Sequence, residues 1–125
     1  SEAKNGDEIE VWGDGKQTRS FLYIDDCIEA VVRFVRQNDF FGPVNIGSEE
    51  MISINDFAQM AIDISGKDIM INNIDVPQIG VRGRNSDNTL YKKHMNWEVS
   101  KPLIEGMKET YKWINSKVEE GKNIF

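Results

Sequence analysis

Trp12-Gly13-Asp14-Gly15-Lys16-Gln17-Thr18-Arg19-Ser20-Phe21 is a glycine-rich turn that ends in an arginine at the mouth of a strand. On its amino side, Glu8-Ile9-Glu10-Val11-Trp12 alternates in the manner of a half-exposed strand, and on its carboxyl side Ser20-Phe21-Leu22-Tyr23-Ile24 reads as another. Gly13 and Gly15 supply positive-φ positions for a tight turn. The local expectation is a hairpin, with Arg19 at the start of its second strand.

A second stretch has the same chemistry. Val81-Arg82-Gly83-Arg84-Asn85-Ser86-Asp87 places two guanidinium groups two residues apart around a glycine, a compact, always-charged receptor for an anion. Taken alone, seven such residues are as readily a solvated basic turn, since surface arginines are common and mostly idle. Two arginine-bearing glycine turns in one chain favour the anion reading, and a diphosphate has the shape they suit.

Between these stretches the chain reads as alternating helices and strands. Asp25 can cap a helix whose apolar residues Ile24, Cys27, Ile28, Val31, Val32 and Val35 fall on one face, expected to be core. Cys27 on that face reads as a small buried hydrophobe. Gly42-Pro43 breaks the chain, and Val44-Asn45-Ile46-Gly47 reads as a short buried strand. Ser53-Ile54-Asn55-Asp56 resembles a capping box with Asp in place of Glu, opening a helix with core residues Ile54, Phe57, Ala58, Ala61 and Ile64 that Gly66 ends. Asp68 to Asn72 suggests a strand leading through Pro77 and Gly80 to the arginine loop. Asp87 or Ser86 can cap a short helix from Asn88 to Met95, closed by Asn96-Trp97. Ser100 caps a last helix with Pro102 in its first turn, a stripe of Leu103, Met107, Thr110, Tyr111, Ile114 and Val118, and a stop at Gly121.

Composition narrows the function. A net charge of −6 argues against nucleic acid, because a binder of phosphate backbones needs a broad basic surface. Two local arginine clusters in an acidic chain suit one small anion instead. One cysteine excludes an internal disulfide and a thiolate metal site, and His94 is also alone. No apolar run approaches the roughly 18 residues of a membrane span, and Ser1-Glu2-Ala3-Lys4 carries no apolar signal region, so a cytoplasmic location is the default. The 125 residues suggest one domain, 1–125, of α/β class.

In their order, WGDGKQTRSF (12–21), the Ile24-Asp25-Asp26 helix start, Pro43-Val44-Asn45-Ile46-Gly47-Ser48, VRGRNSDN (81–88) and Asn96-Trp97 before a last helix resemble the carboxyl-terminal half of extended short-chain dehydrogenases acting on nucleotide sugars. Within that epimerase/dehydratase superfamily the match is most similar to the GDP-mannose 3,5-epimerases, from about Glu10 to about Lys117. The resemblance implies a small mixed α/β substrate-binding lobe of a Rossmann-type enzyme, without its amino-terminal dinucleotide-binding half.

It also implies roles. Arg19 reaches the nucleotide diphosphate, and Ile9, Glu10 and Val11 line the nucleotide end. Arg84 is the diphosphate arginine, because the family places one about three residues before the aspartate that opens the helix. Arg82 is the second choice. Gln17 either stabilises its turn or contacts the ligand. The family's catalytic tyrosine has a lysine four positions later, and none of Tyr23, Tyr91 and Tyr111 has one. No glycine-rich dinucleotide fingerprint follows a first strand either. The chain is thus expected to hold no catalytic residue, no metal and no NAD by itself, NAD belonging to the parent enzyme. The family's acid/base cysteine lies in the missing half, so Cys27 does not inherit its role. The expected partners are a GDP-sugar and the missing Rossmann half. A homodimer is also open to the chain through the strand edge at 44–47 that the missing half would cover. Two alternatives remain: the lobe of another nucleotide-sugar epimerase, dehydratase or decarboxylase, and a non-catalytic interaction module that kept the lobe and lost the sugar.

Overall fold

The computed structural model describes residues 2–37, 39–76 and 80–121. β1 (Glu8–Trp12) forms where the alternating pattern predicts it, but it does not pair with the next strand. It runs parallel to β4 (Met70–Ile74), in register from Glu8 opposite Met70 to Trp12 opposite Ile74. β2 (Thr18–Ser20) belongs to a second sheet, antiparallel to β3 (Met51–Ser53) and parallel to β5 (Gly83–Arg84). The expected hairpin is therefore wrong. Its turn is pinned to neighbours instead of closing on itself: the carbonyls of Gly13, Asp14, Gly15 and Gln17 are taken by Asn73, Asn55 and Ile54. Gly15, at φ +67°, leaves no room for a Cβ, which would lie 1.9 Å from Asn55 Oδ1.

The strand expected over 20–24 starts earlier and ends at Ser20. Phe21 leaves the ladder to stack on Phe57, with ring centroids 4.1 Å apart, and Tyr23 packs against Gly106. Val44 to Gly47 joins no ladder, which corrects the strand expected there. This segment is held from the side instead. Asn88, 6% exposed, donates from Nδ2 to the Gly47 carbonyl at 2.7 Å, and a Cβ on Gly47 would strike Ser86 at 2.5 Å. The strand expected over 68–72 appears two residues later, as β4, and Pro77 lies outside the described residues.

α2 (Ile54–Ser65) starts and stops where its sequence indicates, but the stripe expected as core, Ile54, Phe57, Ala58, Ala61 and Ile64, is half-buried, and the buried residue is Ile62 beside it. Ser53 Oγ accepts the Asp56 N–H at 3.0 Å, capping the helix, and donates to the Asp56 carboxylate at 2.6 Å. Gly66 ends the helix in the left-handed region at φ 65°. The helix packs against α4 (Leu103–Glu119) and both sheets, burying Ile62.

α1 (Ile24–Arg36) departs from expectation. Its start is flanked by Tyr23, with no side-chain cap from Asp25, although Asp25 and Asp26 in the first turn suit the positive end of the helix dipole. Its apolar face is not core: Ile24 is 59% exposed, Ile28 54%, Val31 48% and Val35 74%. Nothing among the described residues covers it. The buried side of α1 is Ala30, whose carbonyl accepts the Tyr91 hydroxyl at 2.8 Å from α3 (Thr89–Met95). Trp97 completes this contact, edge-on to Tyr91 with the Arg33 guanidinium over its ring. Burial, with Glu29 adding to it and Arg33 opposing it, raises the Tyr91 pKa. Cys27 is half-buried.

Asn96 closes α3 at φ 45°, as its sequence indicates. α4 begins after Pro102 without a side-chain cap, so Ser100 does not cap it. The Leu103 N–H is satisfied by the Glu50 carboxylate at 2.8 Å, and Gly121 follows the helix end at φ 67°. The architecture is mixed α/β with parallel pairs in both sheets, as expected. No helix of the described residues is long and apolar enough to cross a membrane.

Candidate functional site

The register of β2 against β5 sets Arg19 opposite Arg84. Registered partners in neighbouring strands point to the same face, with strands about 4.8 Å apart, so the two arginine side chains rise side by side. They are not equivalent. Arg19 Nη1 donates to the Thr18 carbonyl at 2.7 Å and the Val81 carbonyl at 2.8 Å, fastening β2 to the arginine loop. Arg84 is exposed, and so is Arg82; neither has an ion pair among the described residues. The Arg82 carbonyl extends the ladder by accepting the Thr18 N–H at 2.7 Å.

The loop carrying these arginines is anchored on its far side. Asp87 Oδ1 accepts the Thr89 hydroxyl at 2.6 Å and the Thr89 N–H at 3.0 Å, capping the first turn of α3. These bonds lower the Asp87 pKa, its side-chain contact to Thr89 first. Its contribution to stability is therefore present above the ordinary aspartate range and lost as pH falls through its own lower value. Lys92 bridges Glu98 and Glu49, both at 2.9 Å, and these partners raise its pKa, Glu98 first.

Gln17 holds its turn and leaves one polar atom unpaired among the described residues. Its Nε2 donates to the Trp12 carbonyl at 3.2 Å, while Oε1 is buried with no partner among the described residues. The Trp12 bond fixes the amide orientation, since a flipped amide would set oxygen against oxygen. β1 explains where this acceptor sits. Asp7 O and Gly13 N bond across to β4, so odd residues of β1 turn their backbone groups to β4 and even residues turn theirs to the open edge. Glu10 and Trp12 thus present N–H and C=O on the edge where Gln17 lies. Ile9 and Val11 point their side chains inward, Val11 to 4% exposure, and Ile9 lines an apolar cavity of about 320 Å³ between α2, α4 and β1. Of the three residues expected at the nucleotide end, Glu10 alone is an exposed one.

These residues do not fit a dinucleotide. β1 leads by the 13–17 turn to another strand and not to a helix amino terminus. Acidic side chains already occupy the first turns of α1 and α2, where a diphosphate would seek positive charge. No group of three or more His, Cys, Asp or Glu among the described residues can hold a metal ion. Asn55 and Asn73 escaped the sequence reading. The signal for Asn73 is a polar pair, Asn72-Asn73, within a strand, where asparagine is disfavoured.

The fold and motifs of this chain are similar to those of the NAD-dependent epimerase/dehydratase family, whose model matches residues 1–47. Its relatives include the GDP-mannose 3,5-epimerase of Arabidopsis thaliana, 48% identical over 93% of this chain, and that of Oryza sativa subsp. indica, 47% identical over the same share. The chain spans 30% of the length of both relatives. UDP-glucose 4-epimerase of Thermotoga maritima, solved with UDP-glucose, superposes with a TM-score of 0.81 at 26% identity, covering 89% of this chain and 36% of that one. UDP-glucuronic acid 4-epimerase of Bacillus cereus, solved with UDP-glucuronic acid and NAD, gives 0.77 at 30% identity, covering 86% and 35%.

Proposed function

We propose that residues 1–125 form one substrate-binding lobe that grips the nucleotide diphosphate of a GDP-sugar, within a GDP-mannose 3,5-epimerase-like enzyme. The observation that carries this reading is the β2–β5 register, which sets Arg19 beside Arg84 on one face. Arg84, exposed and without an ion pair among the described residues, takes the diphosphate, with Arg82 next to it. Arg19 contributes the part of its fork that the backbone does not use. The open edge at Glu10, beside Gln17, receives the base. In the parent enzyme NAD would supply reversible hydride transfer at the hexose and would be held by a Rossmann half outside these residues, while the residues of this lobe hold and orient the nucleotide diphosphate. The bare face of α1 suits a contact with that half, in keeping with relatives about three times as long.

Calorimetric titration with GDP-mannose, GDP, UDP-glucose and pyrophosphate tests this reading. The expected result is preference for the two GDP ligands, weakened roughly tenfold or more in Arg84→Ala, as for loss of a charge-assisted contact. Equal affinity for all four, unchanged in Arg84→Ala, would sink it and favour the interaction module.

A further inference from the structure

We infer that Asn55 and Asn73 are a positioning pair, whose two side-chain amides set the geometry of the 13–17 turn and through it the placement of Gln17 and Arg19. The second half of this inference rests on the function proposed above.

The turn has an unusual task. It carries the chain from the β1–β4 sheet into the β3–β2–β5 sheet, so a small rotation in it moves one set of candidate ligand groups against the other. Glycines at 13 and 15, both at positive φ, do not resist such a rotation. The restraint comes from outside. Asn73, in β4, donates from Nδ2 to the Gly13 carbonyl at 3.0 Å and to Asn55 Oδ1 at 3.1 Å. Asn55, in the first turn of α2, donates from Nδ2 to the Asp14 carbonyl at 3.2 Å and to Asn73 Oδ1 at 3.4 Å.

Two backbone bonds add to the clamp: Asn55 N–H to Gly15 O at 3.1 Å, and Ile54 N–H to Gln17 O at 3.0 Å. One amide is rooted in each sheet's neighbourhood, and each faces the other. Their chemistry is specific, because only a side-chain amide donates twice, to a carbonyl and to its partner, and accepts at once. Aspartate keeps the acceptor and loses the donor, and leucine keeps the volume and loses both. With the turn held, Gln17 Nε2 meets Trp12 O and its Oε1 is left buried without a partner among the described residues.

The neighbouring residue supplies an internal control. Asn72 donates to Glu8 Oε2 at 2.9 Å along the strands and makes no bond to the turn. The test compares Asn73→Ala, Asn73→Asp and Asn55→Ser with Asn72→Ala in the 125-residue chain. Two quantities are measured by NMR and calorimetry: hydrogen exchange of the Gln17 side-chain amide and of the Ile54 and Asn55 N–H groups, and affinity for GDP-mannose.

The expected result is exchange at these sites faster by roughly fivefold in the three variants, the factor for loss of about one neutral hydrogen bond. GDP-mannose should weaken by a similar factor, while Asn72→Ala and the exchange of Ile62 in α2 stay as in the parent chain. Unchanged exchange at Gln17, Ile54 and Asn55 overturns the inference, and so does faster exchange with full GDP-mannose affinity. Exchange that rises equally at Ile62 reports general loosening and overturns it as well. A parent chain that binds no GDP-mannose refutes the proposed function and leaves the exchange result to decide whether the pair sets the turn.

Discussion

α1 and α2 are helices of 13 and 12 residues, each with an apolar stripe, and the two stripes meet opposite surroundings. The stripe on α2 is half-buried against α4 and both sheets, next to Ile62 at 6% exposure. That on α1 faces outward, and the helix is held by the small residue Ala30 on its other side. Helical periodicity states that a face wants cover. It does not state that the same stretch of chain supplies the cover.

Substitutions can break or sharpen this contrast. The largest effect is expected at Ile62→Ala, which should destabilise by about 2–5 kcal/mol in urea unfolding, as for a truncated core aliphatic. A loss under 1 kcal/mol would mean that α2 is no better covered than α1. Tyr91→Phe removes the hydroxyl that anchors Ala30 and should cost about 1 kcal/mol with little change in secondary structure by circular dichroism. Val35→Ser on the bare face should change stability by no more than about 0.5 kcal/mol, the range for surface sites. A cost near that of Ile62→Ala would show that the stripe is buried in solution, and sedimentation would tell whether a second copy covers it.

The elements whose partners are local in sequence were legible. The Ser53 cap, the stop at Gly66 and the alternating strand Glu8–Trp12 depend on neighbours a few residues away and form as read, although the Asp56 carboxylate takes the Ser53 hydroxyl where a capping box would take its N–H. Pairing was not legible. Two strand-like runs around a glycine turn resemble a hairpin unless one knows that β4 and β3, far along the chain, compete for them. Likewise Val44 to Gly47 has the composition of a buried strand, and composition does not reveal that Asn88 and Ser86 hold it as a loop.

In the candidate site, the arginines stood out because paired guanidiniums are rare enough to notice. The register that sets Arg19 beside Arg84 came only with the structure. The inward turn of Ile9 and Val11 follows from the strand alternation itself.

The three tryptophans differ in setting: Trp12 is 68% exposed and Trp113 55%, whereas Trp97 lies against Tyr91 and Arg33. Acrylamide should therefore quench two emitters readily and spare the third, which glows at shorter wavelength. Since the Trp12 carbonyl is tied to Gln17, its indole is a native optical probe of that edge, readable without any label.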